Sequence, residues 1–413
     1  MYHAFCRIPA AAWPGVLFLC VLAASCGRPS NSPLVTEVDS AGVRIVTSHG
    51  EGWAGDPDWH LELDLDVGDL DGPNAFARLR DVAERSTGGM WVLDSQARRV
   101  RGFDDAGNEV LAFGRAGQGP GEFTFVDHVA ELPDGGLLVG GSGPIVLHRF
   151  GRDGSHRNSM LIPDSVFRER PKTRTSDGPP AGPSFGRWRV SPGGSVFVQT
   201  VVMDAEGENI VRSDALFRLV PEGGRATRLA QWNTSLMEGG PGGTMRLLRP
   251  DAGWSPLADG GAWFTPGSVY ELRQLDRTGR VTTLMRRPVP RLPVTEAIRL
   301  GVRARLDRTM DSEFERGMLD RAVYPAYLPA TFGLWGGDSG ALWVGVVDPA
   351  FPWDYERANA WDIFELDGGY VGRLPIPVGL RPTRVTRDHV YGIWLDDLDV
   401  PHARRYSIVR PGS

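Results

Sequence analysis

Two neighbouring stretches of this sequence repeat the same residue pattern at a spacing of 47 residues. The stretch from Asp81 to Gly107 aligns with the one 47 positions later over 27 residues, and no gap is needed. Repeats of this length are typical of solenoids and propellers, whose units bury apolar surface against their neighbours. The matched pairs include Val82 and Val129, Gly88-Gly89 and Gly135-Gly136, Val92 and Val139, Phe103 and Phe150, and Gly107 and Gly154.

Each copy contains the pattern of four short strands. In the first copy the apolar run from Met90 to Leu93 follows the turn at Gly88-Gly89, and the run from Glu109 to Phe113 follows the turn that ends at Gly107. Alternating apolar and polar residues between such turns predict antiparallel strands. Four strands in about forty residues form one blade of a β-propeller.

The same pattern occurs six times along the chain, which predicts an all-β fold, a six-bladed β-propeller over residues 38–413. One further strand pattern, from Trp59 to Leu65, precedes the first blade. A strand in this position can complete the last blade and remove the open edges of the ring. We therefore expect the two ends of the propeller to meet in one sheet.

The period of the apolar residues changes between blades four and five. Ile298, Val302 and Leu306 lie four residues apart after Thr295-Glu296, which predicts a small helical insertion over about residues 295–329. The insertion either packs against the rim of the propeller or acts as a lid or as a docking element for a membrane partner.

The N-terminus has the pattern of an export signal. Arg7 gives a positive start, the apolar run from Val16 to Leu22 is too short to span a membrane, and small residues precede Cys26. Small residues before a cysteine resemble a bacterial lipobox, which predicts a signal peptide over residues 1–26 with lipidation of Cys26. Residues 27–37 would form a tether. The expected location is the cell envelope, with a lipid anchor facing the periplasm or the exterior; secretion is the alternative.

Composition excludes several classes of site from the folded domain. All three cysteines, Cys6, Cys20 and Cys26, lie in the predicted signal segment, so the domain has neither a disulfide nor a thiolate metal site. A net charge of −6 and a pI near 5.8 lack the basic footprint of nucleic-acid binding.

One motif resembles a known family. Gly114 to Phe123 reads Gly-Arg-Ala-Gly-Gln-Gly-Pro-Gly-Glu-Phe and follows the turn from Phe103 to Gly107. With the closing segments Tyr391-Gly392 and Asp396 to Tyr406, it resembles the bacterial six-bladed β-propeller lipoproteins, which are related to NHL-repeat propellers. The resemblance implies the fold and an exported location and no particular activity. Blade two departs from the pattern, because Gly140-Gly141 replaces the expected Leu-Asp.

The glycine-rich motif from Gly114 to Phe123 also resembles a phosphate-binding loop. It lacks the Lys-Ser/Thr pair of a P-loop, Pro120 interrupts it, and a strand is expected after it where a P-loop would have a helix. These features favour a connector between blades.

Metal ligands with a local spacing are not found in the sequence. The acidic run DLDVGDLDG does not have the alternating spacing of a calcium loop, and neither H-E-x-x-H nor C-x-x-C occurs. No cofactor is therefore predicted, although Ca²⁺ or Zn²⁺ held by residues from several blades is compatible with the sequence. The residues considered were Asp64, Asp66, Asp69 and Asp71, and the isolated histidines His128, His389 and His402.

The repeat positions direct side chains from five blades toward the central funnel, where propellers bind ligands. A mixture of arginine, aspartate and aromatic residues suits a polar or anionic small molecule, a glycan or a peptide. Each of these residues could instead be a structural salt-bridge partner. The predicted ligand-binding residues are Arg80, Asp81, Asp127, His128, Arg187, Arg189, Trp335 and Arg384.

A binding or scaffolding module is the function that these patterns favour. No local catalytic signature such as G-x-S-x-G occurs. The alternative is a metal-dependent hydrolase or lyase with its site in the central funnel, since one fold can host many activities. The expected partners are a protein, peptide or glycan ligand in the cell envelope and the membrane through the N-terminal lipid, with no nucleic acid.

Overall fold

A computed structural model of the chain describes residues 34–411 with internal gaps. The predicted signal peptide, Cys26 and most of the predicted tether lie outside the described residues. Within the described part, no helix is both long and apolar enough to cross a membrane. The gaps are 54–55, 142–145, 163–183, 207–208, 221–224, 239–243, 309–311, 338 and 349–358.

Six β-sheets form the six blades of a propeller, which confirms the predicted fold class. Three strands precede the first blade. These three are β1 (Val35–Ser40), β2 (Val43–Ser48) and β3 (His60–Val67). Blade one contains β4 (Leu79–Glu84), β5 (Met90–Asp94), β6 (Arg99–Phe103) and β7 (Glu109–Phe113). Blade two contains β8 (His128–Glu131), β9 (Leu137–Gly140), β10 (Val146–Phe150) and β11 (His156–Leu161).

The remaining blades repeat this meander with local additions. Blade three contains β12 (Ser184–Val190), β13 (Val196–Glu206), β14 (Asn209–Val220), β15 (Arg225–Glu238) and β16 (Thr244–Met245). Blade four contains β17 (Gly253–Pro256), β18 (Ala262–Thr265), β19 (Glu271–Leu275) and β20 (Val281–Arg286). Blade five contains β21 (Gly333–Gly336), β22 (Ala341–Val347), β23 (Asn359–Glu365) and β24 (Tyr370–Pro375). Blade six contains β25 (Leu380–Val385), β26 (His389–Leu395) and β27 (Pro401–Val409).

The ring closes as the sequence predicts. Strand β3 is the outermost strand of blade six and pairs antiparallel with β27, with Leu61 opposite Ile408 and Leu63 opposite Tyr406. Residues from both ends of the domain thus share one sheet, and neither end leaves an open edge between blades one and six.

The hairpin of β1 and β2 is added to the edge of blade four, a position that the sequence analysis did not predict. Strand β2 pairs parallel with β20, with Ile45 opposite Leu284, so blade four becomes a six-stranded sheet. Strand β1 begins at Val35, inside the predicted tether, because pairing with β2 satisfies its backbone groups.

The helical insertion contains α1 (Glu296–Asp307) and α2 (Glu313–Asp320). Thr295 caps α1 by accepting a hydrogen bond from the backbone N–H of Ile298. Ile298 and Val302 are buried with Val347 of blade five, so α1 packs against the propeller. The structure therefore agrees with the interpretation of a helix on the rim.

The packing of the closing strand gives a direct test of ring closure. Leu65 is buried against Phe103 and Ile393, whereas Leu63, two residues earlier, is 47% exposed. We expect Leu65→Ala to lower the free energy of unfolding by about 2–5 kcal/mol, because a cavity forms between blades six and one. Leu63→Ala, the matched control, should change it by only about 0.5 kcal/mol. Urea denaturation measures both, and equal effects would contradict closure through β3.

Candidate functional site

A cavity of about 590 Å³ lies on the propeller axis, between the first strands of the blades. Its size is in the range of small-molecule sites. All eight residues that the sequence directs to the funnel line this cavity: Arg80, Asp81, Asp127, His128, Arg187, Arg189, Trp335 and Arg384.

Positions on the first strands of the blades fall into two tiers, because residues two apart along a strand lie on the same face. In each blade, the first and second strands form a ladder that ends at the turn between them. The lower-tier residue belongs to the second pair from that turn, and the upper-tier residue belongs to the fourth pair. The lower tier consists of Ala83, Ala130, Arg189, Ser255, Trp335 and Arg384. The upper tier consists of Asp81, His128, Arg187, Gly253, Gly333 and Arg381.

Glycine is required at two positions of the upper tier. A Cβ atom on Gly253 would lie 2.9 Å from the carbonyl carbon of Gly333, and a Cβ atom on Gly333 would lie 2.4 Å from the indole of Trp335. Trp335 therefore extends from the lower tier across Gly333. This indole forms an aromatic wall on the side of blade five, and its other face packs on Trp361.

Basic side chains outnumber acidic ones in this cavity. The described lining residues include six arginines and three carboxylates. Among the described residues, no carboxylate forms an ion pair with Arg80, Arg381 or Arg384. The arginines are Arg80, Arg187, Arg189, Arg381, Arg384 and Arg387, and the acids are Asp81, Glu84 and Asp127.

Arg189 is held by backbone carbonyl groups. Its Nη1 donates to the carbonyl oxygens of Trp254 at 2.7 Å and Leu334 at 3.2 Å, so it reaches from blade three to blade five. Burial, together with the like charges of Arg187 and Arg384, lowers the pKa of Arg189 to about 9. The group remains charged at neutral pH, and an anion beside it would offset the cost of its burial.

Arg187 occupies the tier above on the same strand. Its Nη2 donates to the carbonyl oxygen of Ala252 at 3.2 Å and lies 4.0 Å from the carboxylate of Asp251. Burial lowers the pKa of Arg187, and Asp251 opposes that effect. Neither Arg187 nor Arg189 has a close, bidentate carboxylate partner among its described contacts.

The acidic side of the cavity is centred on His128. The carboxylate of Asp81 accepts a hydrogen bond from the backbone N–H of Val129 at 2.9 Å and lies 3.5 Å from Nδ1 of His128. Nε2 of the same histidine lies 3.8 Å from Asp127, and its ring meets Trp188 edge to face. Among the described residues, no three histidine, cysteine, aspartate or glutamate side chains are grouped as a metal site requires.

The sequence missed some lining residues, and Arg381 is the most important of them. A β-bulge between Pro382 and Arg384 inserts one extra residue into β25. The alternation therefore changes phase, and Arg381 faces the axis although it lies three residues before Arg384. The sequence could have indicated Arg381 only if β25 had been aligned with the first strands of the other blades by counting back from the turn after each strand. Glu84 and Arg387 lie near the turns that follow the first strands and were also missed.

The glycine-rich motif is a closed connector. Oε2 of Glu122 accepts a hydrogen bond from the backbone N–H of Gly119 at 2.9 Å, and Oε1 accepts one from Nε of Arg115 at 2.8 Å. A Cβ atom on Gly117 would lie 1.9 Å from this carboxylate. The loop thus already holds an anion of its own, and Phe123 anchors its end in the core.

The acidic run near residue 64 belongs to the closing sheet. Asp64 accepts from Nε of Arg405 at 3.0 Å, and Asp66 accepts from Nε of Arg404 at 3.0 Å and lies 2.8 Å from His402. Both carboxylates join β3 to β27, and we call this closing ladder between the two strands the seam of the ring.

Comparisons with known proteins support the fold. No protein-family model and no curated protein sequence matches the chain. A member of the DUF4221 family from Bacteroides vulgatus superposes with a TM-score of 0.50 at 9% identity, covering 85% of this chain and 99% of that one. A streptogramin B lyase (TM-score 0.41, 11% identity, 85% and 98% covered) and the calcium-binding protein regucalcin from Agrobacterium tumefaciens (0.41, 13%, 84% and 95%) are more distant. At 9% identity the likeness to the DUF4221 member extends to the fold alone.

The connector can be tested through the pH dependence of stability. The Gly119 amide and Arg115 lower the pKa of Glu122, so its ionised form stabilises the fold above the pKa of the unfolded chain, near 4.5. This contribution is lost as the pH falls through the lower pKa of the folded state. We expect Glu122→Gln to melt below the wild type at pH 7, with the difference shrinking below about pH 4. A difference independent of pH, measured by circular dichroism, would contradict this role.

Proposed function

We propose that this protein is an exported β-propeller that binds an anionic ligand in its central cavity. One observation carries the proposal: the described lining has twice as many arginines as carboxylates, and several of these arginines lack a carboxylate partner. Like charges that are held close together in a concave cavity favour a bound anion, because the anion relieves their mutual repulsion.

The chemistry of the wall narrows the class of ligand. Guanidinium groups donate paired hydrogen bonds that match carboxylate and phosphate groups. Trp335 offers an aromatic surface next to them, on which a sugar ring or an apolar segment could pack. A peptide, a glycan or a small molecule fits this description if it carries an acidic group.

Binding can be measured by isothermal titration calorimetry with the purified protein. We expect citrate, glucuronate or phosphate to bind, and glucose and choline not to bind. Arg384→Gln should weaken the binding of the anions about 10- to 100-fold, because one charge-assisted hydrogen-bonding group is lost. Arg277→Gln, which changes an exposed arginine in a turn of blade four, is the matched control and should leave the affinity unchanged.

Two results would count against an anion-binding cavity. One is equal binding of neutral and anionic compounds, and the other is an affinity that Arg384→Gln does not change. The metal-dependent hydrolase or lyase is the second candidate. His128 lies 3.5 Å from Asp81 and 3.8 Å from Asp127, which offers a group for proton transfer, although these three described residues are not grouped as a metal site requires. A stoichiometric Ca²⁺ or Zn²⁺ that is lost in Asp81→Asn would support that candidate.

The location is also part of the proposal. The lipobox-like segment before Cys26 and the resemblance to bacterial propeller lipoproteins support export followed by lipidation. The motif from Gly114 to Phe123 and the lipobox-like segment also support membership of this chain in that NHL-like lipoprotein family.

Lipidation can be tested by labelling a bacterial expression host with an alkyne fatty acid. We expect the wild type to be labelled and to sediment with membranes, whereas Cys26→Ser should be unlabelled and released, because the acylated thiol is absent. Cys20→Ser is the matched control within the same segment and should behave like the wild type. Labelling that persists in Cys26→Ser would contradict the anchor.

A further inference from the structure

The arginines of the cavity are organised in pairs at two heights. Blade three contributes Arg189 to the lower tier and Arg187 to the upper tier, and blade six contributes Arg384 and Arg381 to the same two tiers. Each of the four lines the cavity. The basic charge is thus spread along the axis.

The heights follow from the strand register. Arg189 is opposite Phe197 and Arg384 is opposite Tyr391, each one pair before the end of its ladder. Arg187 is opposite Gln199 and Arg381 is opposite Ile393, two pairs further from the turn. Since a strand rises about 3.3 Å per residue, the tiers are about 7 Å apart.

Blades three and six face each other across the axis. The first strands of blades one and two, two and three, four and five, five and six, and six and one contact one another, and Arg189 of blade three bonds to the carbonyl oxygen of Trp254 of blade four. The blades therefore follow chain order around the axis, and the third of six lies opposite the last. Arg189 reaches across the axis to blade five, and its pKa responds to the charge of Arg384. An anion on the axis can therefore meet guanidinium groups from two sides at each tier.

We propose that the ligand of this cavity is an elongated dianion, with two anionic groups about 7 Å apart along the axis. This inference rests on the proposed function and specifies the class of ligand. One anionic group lies between Arg189 and Arg384, and the other lies between Arg187 and Arg381. The aromatic face of Trp335, which extends from one tier to the other, contacts the segment that joins the two groups.

Straight-chain dicarboxylates measure this spacing directly. The carboxyl groups of extended adipate and pimelate are about 6–8 Å apart, whereas those of succinate are about 4 Å apart. Calorimetric titration at constant ionic strength compares succinate, glutarate, adipate, pimelate and azelate, with hexanoate as the monoanion of matched length. We expect the affinity to be highest for adipate or pimelate and at least tenfold above that for hexanoate and for succinate.

Substitutions in each tier separate the two contacts. Arg384→Gln and Arg381→Gln should each reduce the affinity for adipate to about that for hexanoate, because one end of the dianion loses a partner. Arg277→Gln should leave the whole series unchanged, and melting temperatures confirm that each variant is folded.

The outcomes distinguish this inference from the function on which it rests. If affinity does not depend on chain length while Arg384→Gln still weakens binding, the cavity binds anions and the two-tier dianion is wrong. If none of these carboxylates binds and citrate, glucuronate and phosphate also fail to bind, both proposals are wrong. If dianions bind with the expected optimum but only one of the two substitutions matters, the second anionic contact is wrong.

Discussion

The antiparallel ladder between β3 and β27 is the constraint on which the rest of the structure depends. It joins residues 60–67 to residues 401–409, so the two ends of the domain hold each other in place. Asp64 pairs with Arg405, and Arg405 also contacts Asp105 in a turn of blade one, which ties the seam to the next blade. Only when this seam is formed do the six first strands surround one axis.

Buried polar groups fix the positions of neighbouring strands and blades relative to one another. The carboxylate of Asp362 is fully buried and accepts hydrogen bonds from Tyr270 of blade four and from Tyr370 and Arg373 of blade five. Asp94 accepts from backbone N–H groups on both sides of its strand, including Ala77 at 2.7 Å. A buried carboxylate is costly without such partners, so these junctions admit little relative movement. The walls of the central cavity are correspondingly preorganised.

That rigidity explains how like charges can be concentrated on the axis. Arg187 and Arg189 are attached to a strand whose other face is packed through Trp188 and Val190 into the core between blades two and three. The packing of the ring therefore offsets the electrostatic repulsion between the guanidinium groups. An anion that enters the cavity gains this stored electrostatic energy without any rearrangement of the backbone.

The sequence by itself determined the repeat, the strands, the helical insertion and the closing strand, because alternation, turn residues and helical periodicity are local properties. It also directed eight residues to the axis, because repeats place equivalent positions alike. The tertiary structure alone decided which charges meet: Arg189 reaches Leu334, 145 residues later, and the bulge in β25 turns Arg381 inward. It also placed the β1–β2 hairpin on blade four. Contacts between distant segments and a one-residue change of phase depend on how blades pack, which no local pattern encodes.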